Sequence, residues 1–348
     1  MKGASDVAVQ EFKPEFSPAI LLPTRNRPAS LSSVLQYLAT FYPGARVVVA
    51  DGSEDSLKHQ NAAFINTLSD QLEISHRSYP FEMSMLDRMS ALYESLPDDY
   101  YIMGADDDYP ILENITKAKS FLENNRDYIA CGGVNIMVRL LNDEHFKCSV
   151  FKAISIEHRY LQKRFTDYGS NFFATYYCVT TRQQMLSRLE CSRRMFVAGF
   201  GDFMLGLHDL SNGKLKILDS ETYIRTSSPV HSYLRVTDRL NFLRESKKVI
   251  AIFDQITTDL LSKMHDPTLK RAQQIAQQLI VQHIHLLTRP SGTDVSPHRS
   301  LYMDDTHASK ILNRYADDIR MQYIKHKLIE TRTSEDNRSE HRIRSSME

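Results

Sequence analysis

The sequence predicts an α/β fold in which helices flank a mostly parallel sheet, followed by a C-terminal helical region. Three observations predict it. Apolar runs of strand length alternate with amphipathic helical patterns up to about residue 135, polar turns follow several of these runs, and beyond Tyr233 only helical patterns remain. Such alternation is typical of parallel sheets, which bind ligands at the carboxyl ends of their strands.

Composition excludes several classes of protein. The 348 residues are 42% hydrophobic, and 43 basic side chains balance 43 acidic ones, so no global basic field favours nucleic acid or anionic lipid. No stretch approaches 18 apolar residues and the first 16 residues lack a signal-peptide core, which predicts a cytoplasmic protein. Four widely spaced cysteines without a C-x-x-C pair argue against a zinc ribbon or a disulfide framework.

The first elements form a strand–helix–strand unit. Ala19–Leu22 is a predicted buried strand, the polar turn Pro23–Pro28 opens a helix, and a second strand at Arg46–Ala50 ends in the turn Asp51–Asp55. The helix carries an apolar stripe formed by Leu31, Val34, Leu35 and Leu38. Such a crossover implies parallel strands, with both polar turns at one edge of the sheet.

The same alternation continues through six further elements. We predict helices over Ser56–Leu68, Met85–Leu96 and Ile111–Leu122, and strands at Leu72–Ser75, Tyr100–Ala105 and Tyr128–Val134. The middle strand is the most informative, because its apolar run ends abruptly in three consecutive carboxylates.

The triplet Asp106–Asp108 is the strongest candidate for chemistry in the chain. Strand alternation predicts that Asp106 and Asp108 point to one side and Asp107 to the other. Two carboxylates about 4 Å apart repel by roughly 4 kcal/mol at an effective dielectric of about 20. A divalent cation between them removes that cost, and carboxylate oxygens suit Mg²⁺ or Mn²⁺. The alternative is that Asp108 caps the next helix, with Pro110 in its first turn.

The second half is less regular. Short strand-like runs follow Asn135, and a Tyr/Phe-rich stretch extends from Tyr160 to Tyr177. Asp202 follows a glycine at the start of an apolar helical run, where it is either a helix cap or a catalytic base. The helices beyond Tyr233 carry packing stripes, and residues 331–348 are charged and predicted to be disordered.

Several common motifs are missing from the sequence. It contains no G-x-G-x-x-G after the first strand and no G-x-x-x-x-G-K-[ST], which argues against a dinucleotide dehydrogenase and a P-loop phosphotransferase. It also contains no G-x-S-x-G and no H-E-x-x-H. The polar turns at successive strand ends remain, and they suit a ligand that combines a base, a ribose and phosphates.

Three segments together resemble a known family. Leu22–Pro28, Val49–Ser53 and Ile102–Asp108 resemble, in order and spacing, the nucleotide-binding half of a glycosyltransferase of the GT-A (Rossmann-like) fold, close to the large family 2 type. The resemblance is good over about residues 19–135 and loose to about 235. It implies a nucleotide-sugar-binding half at 17–134 and an acceptor-binding half at 135–235. The residue pattern itself predicts a leader at 1–16, a C-terminal helical region at 236–330 and a disordered tail at 331–348.

The resemblance also implies roles for the donor-binding residues. Thr24 and Arg25 would line the nucleotide pocket, Asp51 would accept a hydrogen bond from the base or ribose, and Arg88 would face the nucleotide or its phosphates. The triplet looks like the family's DXD motif, so Asp106 would contact the ribose or a metal-bound water and Asp108 would ligate Mn²⁺ or Mg²⁺. The remaining members of the implied nucleotide-sugar-binding set are Pro23, Arg27 and Asp107. Of the three aspartates, Asp107 is the one expected to have a structural role.

Two further residues complete the implied active site. Asp202 looks like the second residue of the family's Glu-Asp pair, which supplies the general base, although Gly201 replaces the Glu here. His231 resembles a downstream histidine that some members use on the metal or the diphosphate, the alternative being a purely structural histidine.

The sequence thus predicts a metal-dependent, inverting glycosyltransferase acting in glycan or glycoconjugate biosynthesis. A UDP-sugar is the favoured donor, the acceptor is a glycan, a lipid-linked molecule or a protein, and no nucleic acid is expected as a partner. A sugar-phosphate nucleotidyltransferase and a non-catalytic nucleotide-binding or assembly module are the alternatives. A homo-oligomer through the C-terminal helices and peripheral attachment to the inner face of a membrane also stay open.

Overall fold

The fold was analysed in a computed structural model, which describes residues 13–97, 99–141, 145–151, 153–195, 200–227, 246–288, 305–316 and 318–330. The strands are β1 Ala19–Thr24, β2 Arg46–Asp51, β3 Glu73–Ser78, β4 Tyr100–Met103, β5 Tyr109–Pro110, β6 Tyr128–Leu140, β7 Phe146–Phe151, β8 Val179–Thr181 and β9 Lys214–Ser227. The helices are α1 Pro28–Phe41, α2 Asp55–Asn66, α3 Met85–Ser95, α4 Leu112–Asn124, α5 Leu161–Ser170, α6 Arg182–Met195, α7 Gly201–Asn212, α8 Ser246–Lys263, α9 Leu269–Thr288 and α10 Asp305–Ala316. A further helix, α11, covers residues 319–330.

The strands form one mixed sheet in the order β3-β2-β1-β4-β8-β6-β9-β5, with β7 paired to β6. β3, β2, β1 and β4 are all parallel, as the strand–helix alternation predicts. The second half adds antiparallel pairs through β5, β7 and β8, which accounts for the loss of regular alternation after Asn135. The predicted α/β fold with helices around the sheet is confirmed.

The parallel register places three strand ends at one edge. Thr24 at the end of β1 pairs with Asp51 at the end of β2, and Leu21 of β1 pairs with Met103 at the end of β4. The turns after these strands therefore leave the sheet side by side. This edge holds most of the residues that the sequence singles out.

Three apolar cores hold the sheet and the helices together. One lies between the sheet and α1, α4, α10 and α11, another packs α3 and α6 on the opposite face of β1, β2 and β4, and a third joins α5 and α7 to α8 and α9. The C-terminal helices therefore pack in two places, α8 and α9 on the second half and α10 and α11 on the first. In the part of the chain that the structure describes, no helix has the length and apolar character needed to cross a bilayer.

Candidate active site

The turn after β1 is bonded directly to the aspartate triplet. Thr24 Oγ1 donates a hydrogen bond of 2.7 Å to Asp106 Oδ2. Arg27 bridges two carboxylates, because its Nη1 donates to Asp106 Oδ1 while its Nη2 donates to Asp107 Oδ2 at 2.6 Å. The predicted donor-site residues Thr24, Arg27, Asp106 and Asp107 thus form one connected group.

The same turn is also tied to the turn after β2. Asn26 has a positive φ of 57°, a conformation that asparagine tolerates better than most residues. Its backbone N–H donates to Ser53 Oγ at 2.8 Å, and its side-chain oxygen accepts from the N–H of Glu54 at 2.9 Å. These bonds hold two of the three turns in a fixed relative position.

The predicted orientation of the triplet is wrong. β4 ends at Met103, so the residues that follow lie in a turn, and strand alternation does not apply to them. Asp106 and Asp107 share the Arg27 guanidinium, whereas the Asp108 carboxylate binds a different set of residues. The structure therefore pairs Asp106 with Asp107 rather than with Asp108.

Asp106 and Asp107 differ in exposure. The Asp106 side chain is 4% exposed and that of Asp107 is 26% exposed. Burial raises the pKa of Asp106 against the opposing charge of Arg27, and the net result is a pKa of about 7. Asp107 is thus the more accessible carboxylate of the pair.

Asp108 lies in a buried polar network. Its carboxylate accepts hydrogen bonds from the Tyr177 hydroxyl, from Arg225 Nε at 3.4 Å and from the Thr226 N–H at 2.8 Å. Burial raises its pKa and the Arg225 charge opposes that rise. The helix-cap alternative is wrong, because α4 begins at Leu112 and has Ile111 at its N-cap without a side-chain cap. A metal-ligand role for Asp108 stays a prediction.

Three hydroxyl side chains donate hydrogen bonds to backbone carbonyls in and just before the triplet. The Tyr176 hydroxyl donates to the Gly104 carbonyl at 3.0 Å, the Tyr223 hydroxyl to the Met103 carbonyl at 3.2 Å, and Thr226 Oγ1 to the Asp107 carbonyl at 2.6 Å. None of these residues, nor Tyr177 and Arg225, is among the site residues that the sequence predicts. The Tyr/Phe-rich stretch was a signal for two of the tyrosines, but nothing in the sequence pointed to β9.

Asp51 is completely buried at the end of β2. Its carboxylate accepts from the Ser53 N–H at 2.8 Å and from Asn61 Nδ2 at 2.8 Å, and it lies 3.1 Å from His76 Nε2. Burial raises its pKa, but the hydrogen bonds from His76, Asn61 and Ser53 outweigh burial and lower the pKa to about 2. The carboxylate is therefore charged and internally bonded.

Arg88 joins the ends of two strands. Its Nη1 donates to the carbonyls of Thr24 at 2.8 Å and Ala50 at 3.1 Å. The guanidinium lies against Gly52, where any Cβ would overlap with it. The buried Nε of Arg88 has no hydrogen-bond partner among the described residues. Burial lowers the pKa of Arg88, and the nearby positive charge of Arg25 lowers it further.

The two remaining predicted donor-site residues, Arg25 and Pro23, lie in the turn after β1 and in β1 itself. Arg25 is exposed, and its guanidinium lies 4.1 Å from the centre of the Phe81 ring. Pro23 is half-buried in β1 and pairs in register with Ala50. Arg25 and Arg88 therefore bring two neighbouring positive charges to the turn edge.

Asp202 lies in the first turn of α7 and is exposed. It does not cap the helix, because the N-cap is Phe200 and has no side-chain hydrogen bond. Surrounding protein atoms raise the pKa of Asp202 and the charge of Arg225 counteracts the rise, so Asp202 lies within electrostatic reach of the arginine that binds Asp108. His231 lies outside the described residues.

The described residues include no group of three or more His, Cys, Asp or Glu side chains that could hold a metal ion. The pair Asp106 and Asp107 nevertheless directs one oxygen each at the same cationic group, the Arg27 guanidinium. These two carboxylates therefore bind one cationic group together, and in this structure that group is the guanidinium of Arg27.

Comparisons with known proteins were made by sequence and by structure. No protein-family model and no curated protein matches the sequence. S. aureus TarS 1–349 is similar in structure, with a TM-score of 0.50 and 15% identity over 90% of this chain and 88% of that one. Its complex with UDP-GlcNAc gives a TM-score of 0.50 and 14% identity over 90% and 89%.

The mannosyltransferase PcManGT from Pyrobaculum calidifontis, in complex with GDP-Man and Mn²⁺, gives a TM-score of 0.45 and 11% identity over 93% of this chain and 88% of that one, too low a likeness to support an inference. At the identities found for TarS, structural likeness shows the fold. The chain has the GT-A-like fold of glycosyltransferases, as the sequence predicts, while the narrower family 2 assignment stays a prediction.

Proposed function

We propose that this protein is a metal-dependent glycosyltransferase that moves a sugar from a nucleotide-diphosphate donor to an acceptor hydroxyl with inversion. The observation that carries the proposal is the bonding of the turn after β1, through Thr24 and Arg27, to Asp106 and Asp107 after β4. The carboxyl ends of parallel strands are where open α/β sheets bind their ligands. The GT-A-like fold supports the same activity.

Basic groups at this edge would hold the donor. Arg25 and Arg88 lie close enough for one charge to depress the other's pKa, and Arg88 Nε lacks an acceptor among the described residues. A diphosphate would supply the missing acceptor and offset the repulsion between the two guanidinium groups. Thr24 and Pro23 would line the pocket beside them.

Asp51 would meet the base or ribose only by exchanging one of its internal donors. His76 is the donor best placed for exchange, since its side chain is 15% exposed whereas the other two donors, Asn61 and Ser53, are buried. The low pKa of Asp51 keeps the carboxylate ready to accept a hydrogen bond from the nucleotide.

A divalent cation fits the triplet through Asp106 and Asp107. Their oxygens converge on one cationic group, and carboxylate oxygens are the ligands that Mg²⁺ and Mn²⁺ prefer. Asp108, which already accepts from Tyr177, Arg225 and Thr226, and His231 remain proposed further ligands. When bound, the cation would neutralise charge on the departing diphosphate.

Asp202 would act as the general base. It is exposed, lies at the start of α7 and has a raised pKa, and a base with a pKa nearer the working pH accepts a proton more effectively. It would take the proton of the acceptor hydroxyl as that oxygen attacks the anomeric carbon. Attack opposite the leaving diphosphate inverts the anomeric centre.

We propose a UDP-sugar as donor. The complex of TarS with UDP-GlcNAc, a structure of similar fold, supports this choice of nucleotide. For the acceptor we propose a glycan, a lipid-linked molecule or a protein, bound near the Tyr/Phe-rich stretch that ends at Tyr177 and beside Asp202.

A ligand panel tests the proposal. The full chain is incubated with Mn²⁺ and each of several nucleotide sugars, and both the melting temperature and donor hydrolysis are measured. We expect one nucleotide class to raise the melting temperature and to be slowly hydrolysed. The absence of any shift with every nucleotide diphosphate would contradict the proposal, and a shift only with nucleoside triphosphates would favour a nucleotidyltransferase.

A further inference from the structure

Arg27 lies where a cation is expected. Its guanidinium contacts Asp106 Oδ1 through Nη1 and Asp107 Oδ2 through Nη2, and its side chain is only 14% exposed. A planar guanidinium can bridge two carboxylates in this way, whereas an ammonium group acts as a single point charge. The protein therefore supplies its own positive charge to the two carboxylates that best fit a divalent ion.

The two cations compete for the same atoms. Both oxygens of Asp106 are already hydrogen-bonded, Oδ2 to Thr24 and Oδ1 to Arg27, and Oδ1 is the one that faces Asp107 across the guanidinium. Asp107 is the more accessible partner, yet its Oδ2 is also bonded to Arg27. A metal ion that binds Asp106 Oδ1 and Asp107 Oδ2 therefore competes with the Arg27 guanidinium for these two oxygens.

We propose that Arg27 is a built-in competitor of the divalent cation, which makes metal binding weak until a nucleotide diphosphate is present. The inference rests on the proposed function, because the diphosphate is the anion that would receive the displaced guanidinium. Arg27 and Arg25 lie in the same turn, at the edge where the donor would bind. Metal and nucleotide then strengthen each other's binding, as thermodynamic linkage requires.

Binding of Mn²⁺ alone to the full chain tests this competition. The free Mn²⁺ signal in electron paramagnetic resonance is followed during titration of wild type, Arg27→Gln, Arg27→Lys and Arg126→Gln. Arg126→Gln is the matched control, because it removes the same charge from an exposed arginine that bonds the Tyr100 hydroxyl at the other end of β4. Far-ultraviolet circular dichroism and melting temperature confirm that each variant is folded.

We expect Arg27→Gln to bind Mn²⁺ about tenfold more tightly than wild type in the absence of nucleotide. Arg126→Gln should keep wild-type affinity, and Arg27→Lys should lie between wild type and Arg27→Gln, since lysine keeps the charge but cannot bridge both carboxylates. Addition of UDP should strengthen Mn²⁺ binding by wild type more than by Arg27→Gln. If Arg27→Gln does not tighten Mn²⁺ binding, or if Arg126→Gln tightens it equally, the inference is overturned.

The experiment separates this inference from the proposed function. A chain that ignores every nucleotide but gains Mn²⁺ affinity on loss of Arg27 supports the competition and contradicts glycosyl transfer. A chain that binds nucleotide sugars, and whose Mn²⁺ affinity is unchanged by Arg27→Gln, supports glycosyl transfer and contradicts the competition. If neither wild type nor Arg27→Gln binds Mn²⁺, the competition is also overturned.

Discussion

Arg188 and Asp209 form a buried two-point ion pair, with distances of 2.6 Å from Nε to Oδ1 and 2.7 Å from Nη2 to Oδ2. The side chains are 2% and 0% exposed. Gln184 and Thr175 donate to the same carboxylate at 2.9 Å each. The pair joins α6 and α7 to the short turn Thr175–Tyr177. In that turn the Tyr177 hydroxyl donates to the Asp108 carboxylate and the Tyr176 hydroxyl donates to the Gly104 carbonyl.

Replacement of Arg188 by Met should destabilise the protein strongly. It leaves the Asp209 carboxylate buried without its cation, which typically costs about 3–5 kcal/mol. Urea unfolding followed by circular dichroism measures the loss. Lys163→Ala is the control, because the pair of Lys163 with Asp167 is half exposed and such pairs contribute about 0–1 kcal/mol. Equal losses of unfolding free energy in the two variants would contradict the prediction that breaking the buried pair costs more than breaking the half-exposed one.

The first half of the fold was predictable because its signals are local. Each parallel strand is an apolar run with a polar turn after it, and each helix shows its own stripe. The orientation of the triplet was not predictable, since the backbone in and just before it is bonded to distant side chains, those of Tyr176, Tyr223 and Thr226. These residues are 72, 120 and 119 positions away from their partners. No periodicity in the triplet's own neighbourhood records them.

The pairing of Arg27 with Asp106 and Asp107 was missed for the same reason. An arginine in a polar turn looks like a solvated surface charge, and its partners lie 79 and 80 positions later. The family resemblance placed Thr24, Arg88 and Asp106 at one edge, which the structure also does. It did not indicate that the protein itself supplies a cation to the triplet.

Replacement of Asp202 by Asn should abolish transfer while leaving nucleotide binding intact. The amide cannot accept the acceptor's proton, and loss of a general base typically lowers turnover by about 10²–10⁴-fold. Transfer is measured with the donor found in the ligand panel, and nucleotide affinity by calorimetry. Asp167→Asn, on α5 and bonded to Lys163, is the control and should keep activity. Retained turnover in the Asp202 variant would rule out its role as base.

Replacement of Gly52 by Ala should displace Arg88. The added Cβ would overlap with the guanidinium, which would lose its bonds to the Thr24 and Ala50 carbonyls. Overpacking of this kind costs about 1–3 kcal/mol, and donor affinity should fall as well. Melting temperature and nucleotide titration measure the two effects.

A double variant checks the cause of the Gly52 effect. With Arg88→Ala already present, the methyl group has no guanidinium to meet, so Gly52→Ala should cost less stability than it does in wild type. If the stability losses of Gly52→Ala and Arg88→Ala simply add in the double variant, the cost of Gly52→Ala does not come from overlap with the Arg88 guanidinium.

Asp51 should make stability depend on acid pH. Its pKa is about 2 in the folded protein, below the ordinary value of 3.8, because hydrogen bonds from His76, Asn61 and Ser53 outweigh the opposite effect of burial. A lowered pKa stabilises the folded state fully above the unfolded pKa, and the contribution is lost as pH falls through 3.8 towards 2. The whole contribution is about 2 kcal/mol, of which about 1 kcal/mol should be lost between pH 6 and pH 3.

Urea unfolding of wild type and Asp51→Asn at pH 6 and pH 3 measures this dependence. The stability gap between the two proteins should narrow by about 1 kcal/mol on acidification, because only wild type loses the charged carboxylate's hydrogen bonds. Asp55→Asn is the control, since that side chain is 91% exposed and pairs only with Lys58 among the described contacts. A gap for Asp51→Asn that stays constant, or that widens towards pH 3, would show that the buried carboxylate does not stabilise the folded protein in this way.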